Sequence, residues 1–239
     1  MKKIKIGLGI LIIISILTFS GIATARTNTP EVRGKEKIVF IHYKKDFAKP
    51  SSARPAKAPA CYGFLSKGAK LKTVEDLTIS PDLDAPAILA SASEWDSHTL
   101  TNLFGNYTVD DSTADWDGWT SSTPDGRNEF SYGDYPQEGV IAVTVVWGYF
   151  SGLPSTRKIT EFDVLFDTDY KWGDATADPK KMDLQNIATH EIGHGVGLTD
   201  VYQTACSQAT MYGYSDYGDI IKRDLAQPDI TGLQKLYGF

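Results

Sequence analysis

The chain has 239 residues, of which 41% are hydrophobic and 23% are charged, and its formal net charge is −6. This composition excludes a disordered chain, a collagen and a coiled coil, and it is typical of one sizeable folded domain or two small ones. The acidic balance argues against nucleic acid as a partner, because phosphate binding requires a basic face.

The first 25 residues have the parts of a secretory signal peptide. Three lysines within the first five residues precede an apolar run at residues 6–19, and residues 23–25 (Ala-Thr-Ala) supply a small-residue cleavage site. An uncleaved membrane anchor is the weaker alternative, since the run is shorter than the about 20 residues that span a bilayer. We therefore predict a signal peptide at residues 1–25, a secreted, extracellular protein and no stable membrane anchor after cleavage.

Residues 26–60 differ from the rest of the chain in charge. Residues 26–72 contain 12 basic and 3 acidic residues, whereas residues 73–239 contain 9 basic and 27 acidic ones. Residues 49–59 are mostly Pro, Ala, Ser and Lys, which is typical of an extended linker that buries little. These features predict a basic propeptide or linker at residues 26–60 and a globular domain at residues 61–239. The charge split also raises the hypothesis that the basic segment keeps the acidic domain latent.

The globular part alternates strand and helix patterns. A strand is predicted at residues 77–79, and a helix at residues 86–104, where apolar residues recur with the helical period. Four further strands, separated by Gly, Asp and Pro turns, are predicted at residues 107–109, 129–132, 140–150 and 159–166. A strand, a helix, several strands and then helices indicate an α/β or α+β domain.

The segment His190-Glu191-Ile192-Gly193-His194 carries the strongest chemical signal. On a helix, residues four positions apart lie on one face, so His190 and His194 can present both imidazoles to one metal ion. Glu191 lies beside the first of them, where a carboxylate can take a proton from metal-activated water. Because the chain has only four histidines, a chance occurrence of this spacing is a poor alternative.

The residues around this segment supply a helix and a third metal ligand. Asp183 is a candidate N-cap for the helix. Gly197 suits a left-handed turn after it, which would bring Asp200 back towards the metal. Three protein ligands leave an open position for water, as in catalytic zinc sites, whereas structural zinc sites are closed by four.

Four motifs occur along the chain in a recognisable order. They are residues 166–172, the motif His190-Glu191-x-x-His194-x-x-Gly197-x-x-Asp200, Met211 in its Thr-Met-Tyr-Gly context, and residues 225–238. Together they resemble the metzincin zinc endopeptidases, in particular the matrixin branch, with Asp in place of the usual third His. In that family the methionine lies in a turn beneath the metal, and the acid that matches Asp229 braces this turn.

The resemblance implies a fold, an activity and residue roles. The expected fold is a metzincin-type α+β (α/β-like) catalytic domain at residues 61–239. It has a twisted, mostly parallel sheet of about five strands, an active-site helix, a methionine turn and a C-terminal helix. The expected activity is that of a zinc-dependent metalloendopeptidase. His190, His194 and Asp200 are the expected Zn²⁺ ligands, and Glu191 is the expected catalytic general base.

The resemblance also implies protein or peptide substrates and a monomer. In metzincins the substrate lies extended beside an edge strand, which residues 140–147 or 159–166 are placed to supply here. Two other functions stay open. One is a non-catalytic binding or adhesion module that keeps the zinc fold, although such a module has no need of Glu191. The other is a metal-dependent hydrolase acting on amides of cell-wall peptides.

The chain departs from matrixins at several positions. Leu165 stands where the family has a structural-zinc His, and Tyr170 where it has a calcium-binding Glu, so that second zinc and that calcium are expected to be lost or rebuilt. Ca²⁺ bound elsewhere is a further candidate, at an acidic loop for which a solvated surface is the better interpretation. The loop contains Asp110, Asp111, Asp115, Asp117 and Asp125.

The remaining candidates are two cysteines and two isolated histidines. In an exported chain, a disulfide between Cys61 and Cys206 is the favoured state. The alternative is a cysteine switch, in which a propeptide thiolate binds the zinc, but the residues around Cys61 match that family motif poorly. His42 and His98 have no partners at ligand spacing and are interpreted as structural or surface residues.

Overall fold

The computed structural model describes residues 34–47, 60–110 and 124–239, which contain eleven strands and three α-helices. The strands are β1 (Glu36–Lys44), β2 (Gly63–Phe64), β3 (Glu75–Ile79), β4 (Phe104–Val109), β5 (Asn128–Gly133), β6 (Val140–Tyr149), β7 (Lys158–Asp167), β8 (Trp172–Gly173), β9 (Met182–Asp183), β10 (Leu198–Thr199) and β11 (Tyr214–Ser215). The helices are α1 (Ala85–Asp96), α2 (Leu184–Gly195) and α3 (Gln227–Tyr237).

Seven strands form one sheet in the order β11-β1-β6-β7-β5-β3-β4. Neighbours among β4, β3, β5 and β7 are parallel, while β6 runs antiparallel to β7. These five strands are the mostly parallel sheet that the resemblance implies, and with the three helices they confirm the α+β fold. The predicted strands agree with β3 to β7 to within three residues at their ends.

The main core lies between the sheet and the helices α1 and α2. β6 is rich in Val, β7 carries Ile, Val, Leu and two Phe, and both are buried along most of their length, as expected for strands covered on both faces. Trp95 of α1 is fully buried, and its Nε1 donates to the carbonyl oxygen of Thr189 in α2 at 2.9 Å. This bond fixes the position of α2, which carries the predicted metal ligands.

The strand β1 extends the sheet and lies inside the segment 26–60. It pairs antiparallel with β6, and its last two residues pair in parallel with β11. Among the described residues, β1 therefore belongs to the same compact unit as the strands and helices that follow residue 61. The reason is that Ile38 and Phe40, which alternate in the apolar stretch at residues 38–41, pack against the main core.

The first helix ends at Asp96, eight residues before the predicted end at residue 104. Asp96 Oδ1 accepts a hydrogen bond from the backbone N–H of Leu103 at 2.6 Å, and Phe104 already begins β4. The helical period of the sequence continues through Leu100 and Leu103, but Leu100 is 80% exposed. The predicted helix was therefore too long because one of its apolar positions does not face the core.

No helix within the described ranges has the length and apolar character needed to cross a membrane. The predicted signal peptide at residues 1–25 lies outside those ranges.

Candidate metal centre and active site

The helix α2 begins and ends as the sequence predicts. Asp183 is its N-cap, because its Oδ1 accepts from the backbone N–H of Asn186 at 2.8 Å. After the helix, Gly197 has φ of +103°. A Cβ at this position would collide with the carbonyl oxygen of Ala69, so glycine is required for the turn that leads to Asp200.

His190, His194 and Asp200 come together beyond that turn. Asp200 Oδ1 lies 3.1 Å from His190 Nε2 and 3.6 Å from His194 Nε2. One donor atom from each of the three residues lies within 4.8 Å of the other two. The structure thus gathers the predicted ligand set, including the aspartate that replaces a histidine.

Contacts on the far side of the two imidazoles prepare them for a metal. His190 Nδ1 lies 2.7 Å from the carbonyl oxygen of Thr210, and His194 Nδ1 lies 3.0 Å from that of Leu198. Since a carbonyl only accepts, each Nδ1 donates its proton and each Nε2 lone pair is left for a cation. The buried atoms His190 Nε2 and Asp200 Oδ1 have no hydrogen-bond partner, an arrangement that is costly unless an ion binds there. This donor set fits a catalytic zinc.

The charges of the site agree with this fit. Burial lowers the pKa of His190 to about 4, so its imidazole is neutral at physiological pH. Burial opposes ionisation of Asp200, but the two imidazoles, His194 first, hold the pKa of Asp200 below its usual range. Tyr202 Oη donates to Asp200 Oδ2 at 3.0 Å, which leaves Oδ1 for a cation. A neutral imidazole and a carboxylate are the forms that bind metal.

Glu191 is fully buried, and both of its carboxylate oxygens are engaged. Oε2 accepts from the hydroxyl of Thr144 in β6 at 2.6 Å, and Oε1 lies 2.8 Å from His42 Nδ1. Burial raises the pKa of Glu191 to about 7. A carboxylate with such a pKa suits proton transfer near neutral pH.

Two residues of β1 that the sequence did not assign to the site lie against it. His42 is buried, its ring lies 4.0 Å from that of His190, and its Nε2 lies 3.1 Å from Lys222 Nζ. The ring of Phe40 stacks on that of His194, with centroids 3.8 Å apart and planes 6° apart. The sequence signal for both is their position on one face of β1. This signal was missed because residues 26–60 were interpreted from the average composition of the segment and not from the alternation of its side chains.

The methionine turn lies beneath the candidate metal site. Met211 is fully buried, and a Cβ on Gly193 of α2 would collide with its Sδ, which shows how closely the turn packs on the helix. Asp229 of α3 accepts from the backbone N–H of Thr210 at 2.7 Å and from that of Met211 at 3.1 Å. These are the bracing contacts that the resemblance implies for Asp229.

Cys61 and Cys206 form a disulfide with a sequence separation of 145. The bond ties the residues before β2 to the loop between Asp200 and Met211. Both cysteines of the chain are therefore oxidised, and neither supplies the thiolate of a cysteine switch.

An acidic cluster lies in the segment where the resemblance places a calcium site, which the sequence predicts to be lost or rebuilt. Carboxylate oxygens of Asp134, Asp167 and Asp169 lie within 4.8 Å of one another. Burial raises the pKa of Asp167 to about 6, and Tyr170 packs against Trp172 where the family has a calcium ligand. Residues 111–123 of the acidic loop lie outside the described ranges, so calcium binding there stays a prediction.

Comparison with known families identifies the part of the chain that carries these features. Residues 151–238 match the family model described as Matrixin. The matched residues include β7, the helix α2 with its two histidines, Asp200, the methionine turn and α3.

Several curated proteins are similar to the chain over different lengths. Interstitial collagenase of Oryctolagus cuniculus is 30% identical over an aligned length of 180 residues, and the match covers 66% of this chain and 36% of the relative. Stromelysin-1 of Mus musculus is 39% identical over 77 residues, 32% of this chain and 15% of the relative. Matrix metalloproteinase-17 of Homo sapiens is 33% identical over 121 residues, 49% of this chain and 19% of the relative. The matches thus span about a third or less of each of these relatives.

Proposed function

From the premise that this chain is a matrixin-like protein of the metzincin class, we propose that it is a secreted zinc-dependent endopeptidase. His190, His194 and Asp200 hold the zinc, and Glu191 is the general base. The observation that carries this proposal is the buried cluster of the three ligands, in which His190 Nε2 and Asp200 Oδ1 lack hydrogen-bond partners.

Each residue of the site has a definite task in this proposal. Zinc, when bound, supplies a Lewis acid that polarises water and the peptide carbonyl. Glu191 Oε1 takes the proton of the attacking water and passes it to the leaving amine. The hydroxyl of Thr144 donates to Oε2 and so holds the carboxylate in one orientation. Thr210 and Leu198 keep the histidine rings in place through their carbonyl oxygens.

The substrate edge is assigned to β6. Of the two strands that the sequence offers for this role, β7 is paired on both sides, by β6 and β5. β6 has β7 on one side, but its other neighbour is β1, which belongs to the N-terminal segment that this proposal removes; Thr144 of β6 also contacts Glu191 directly. An extended peptide that adds to the β1 side of β6 therefore passes the catalytic residues.

The same proposal covers maturation. The signal peptide is cleaved after Ala25, and residues 26–60, including β1, act as a propeptide that is removed to give an active monomer. The charge split supports this, since Lys45 of the basic segment lies 2.7 Å from Asp219 of the acidic domain.

The test compares the wild type with Glu191→Gln, which removes the base and preserves the side-chain shape. Each protein is purified after export, cut at a specific protease site inserted between Lys57 and Ala58, and separated from the N-terminal fragment. We expect one zinc per chain in both proteins, and chelator-sensitive cleavage of casein that is at least about 100-fold faster in the wild type. His190→Ala serves as the ligand control and should lose the zinc.

Each contrary result is informative. Absence of zinc from the wild type would refute the ligand assignment. Equal cleavage by Glu191→Gln would refute the role of the base. Zinc in both proteins without cleavage by either would indicate a binding module.

A further inference from the structure

The strand β1 crosses the candidate active site as an extended peptide. It pairs antiparallel with the outer edge of β6, from Glu36 opposite Gly148 to His42 opposite Ala142. Beyond a register shift at His42, its end pairs in parallel with β11, the segment that follows the methionine turn. The chain's own N-terminal segment thus takes the edge that an added peptide strand would take.

The burial of β1 differs from that of the other central strands. Only His42 of its nine residues is buried, whereas nine of the ten residues of β6 are buried. The segment is also attached by charge, since Lys44 and Lys45 lie 3.5 Å and 2.7 Å from carboxylates of the acidic domain. These are the properties of a peptide bound at a surface cleft, not of a strand that forms the core.

Two side chains of β1 contact the catalytic residues, and one of them is hydrogen-bonded to the general base Glu191. In its protonated form Lys222 Nζ donates to His42 Nε2, so that His42 Nδ1 carries the proton of the imidazole. This Nδ1–H donates to Glu191 Oε1 at 2.8 Å, while Thr144 donates to Oε2. Each oxygen of Glu191 then already accepts one hydrogen bond, and the ring of His42 occupies the space next to Oε1 where a water would have to bind. Phe40 covers His194 at the same time.

We propose that Glu36–Lys44 is an internal inhibitory peptide that fills the substrate cleft, with His42 as the side chain that blocks Glu191. The inference rests on the proposed function and adds the means of latency. It does not use a thiolate, since Cys61 is in a disulfide. Removal of β1 opens the edge of β6 and frees Glu191 Oε1 in one step.

The experiment uses the full chain with a specific protease site inserted between Lys57 and Ala58. The uncut chain should cleave casein at least about tenfold more slowly than the cut chain separated from its N-terminal fragment. A synthetic peptide of residues 34–47 should then bind to the separated protein in calorimetry and restore the inhibition. The same peptide with His42→Ala should bind at least about tenfold more weakly. A peptide with Val39→Ala is the matched control, because Val39 is exposed on the same strand, and it should bind as the wild type does.

Several results would overturn this proposal. Equal rates before and after separation, or equal binding by the His42→Ala and wild-type peptides, would do so. Loss of the circular-dichroism signal of the fold on separation would instead identify β1 as a structural strand. Failure of the proposed function looks different, because peptide binding is then retained while no form of the protein cleaves casein.

A buried lysine next to His42 carries a second inference, about substrate choice. Lys222 is 2% exposed, and its Nζ donates to the carbonyl oxygen of Tyr212 and to His42 Nε2. A substrate that replaces β1 along β6 presents its own side chain in the place of His42. An apolar side chain there would leave a donor of Lys222 unpaired in a buried position, which is unfavourable.

We infer that Lys222 selects substrates with a neutral hydrogen-bond acceptor, in particular a side-chain amide, at the position that His42 occupies, because the carboxylate of Glu191 lies against the same position. The test measures binding and cleavage by the separated protein. Peptides of residues 34–47 with His42→Gln, whose amide can accept from Lys222 and donate to Glu191, should bind at least about tenfold more tightly than those with His42→Leu. Lys222→Met, which keeps the length and removes the donors, should abolish or reverse this ratio.

A preference of the wild type for the His42→Leu peptide, or an unchanged ratio in Lys222→Met, would overturn the inference. A library of cleavable peptides that differ at this position gives the same comparison, measured as cleavage rates. Failure of the proposed function would remove the rates and leave the binding ratio measurable.

Discussion

Asp229 connects the last helix to the metal site through the methionine turn, and its replacement should weaken both stability and zinc binding. Its carboxylate accepts from the N–H groups of Thr210 and Met211. The carbonyl oxygen of Thr210 in turn accepts from His190 Nδ1. A change at Asp229 is therefore transmitted to a metal ligand through one peptide unit, without contact with the metal.

The expected magnitudes follow from these bonds. Asp229→Ala leaves two buried N–H groups without acceptors, at about 1–3 kcal/mol each, so the free energy of unfolding should fall by about 2–6 kcal/mol. Asp229→Asn retains one acceptor oxygen and should lose about 1–3 kcal/mol. Because the turn also orients His190, the dissociation constant for zinc should rise by about 10–100-fold.

The assay combines urea unfolding, followed by tryptophan fluorescence, with zinc titration against a chelating dye. Asp224→Asn is the matched control, since Asp224 is exposed and its replacement removes the same charge from the neighbouring segment. Asp229→Asn is the informative variant if Asp229→Ala fails to fold. If Asp229→Asn equals Asp224→Asn in both measurements, the bracing role of Asp229 is refuted.

Three further changes have defined outcomes. Replacing Cys61 and Cys206 together by Ser opens a connection of 145 residues. Because the unfolded chain gains entropy, the free energy of unfolding should fall by about 5 kcal/mol, and a fall of under about 1 kcal/mol in denaturant unfolding would contradict this. Burial, reinforced by the charge of Glu161, raises the pKa of Asp163 to about 9. The folded state thus holds this proton more tightly than the unfolded state, and stability should fall as pH rises from about 4 to 9, by at most about 1.4 kcal/mol per pH unit. Asp163→Asn should flatten that dependence and be the more stable protein at pH 8, whereas an unchanged slope in pH-dependent urea unfolding would count against it. Gly193→Ala should lose about 1–3 kcal/mol by overpacking against the methionine turn, and a thermal midpoint equal to that of the wild type would be the contrary result.

The parts of the fold that the sequence predicts are those encoded by local patterns. The apolar runs of β6 and β7 and the capped, periodic segment of α2 each carry their signal within a few neighbouring residues. The spacing of His190 and His194 and the left-handed turn at Gly197 are likewise local, so the cluster with Asp200 was predictable before any tertiary contact was known.

The parts that the sequence does not predict depend on pairs of residues that are distant along the chain. His42 and Thr144 bond to Glu191 across 149 and 47 residues, and Lys222 reaches His42 across 180. Nothing in the spacing of these residues distinguishes them from an ordinary strand histidine, a buried threonine or a loop lysine. Their roles arise only when β1 adds to the edge of β6.

The interpretation of residues 26–60 shows why an average over a segment conceals such a strand. A basic, proline-rich composition predicts an extended segment that is exposed to solvent and buries little surface. Strand addition depends instead on a free edge and on alternate side chains along one face, here Ile38, Phe40 and His42. A segment can therefore look like a linker by composition and still place one imidazole against the catalytic carboxylate. The same few contacts hold the segment to the cleft while leaving most of it exposed, as expected for an element that binds without belonging to the core.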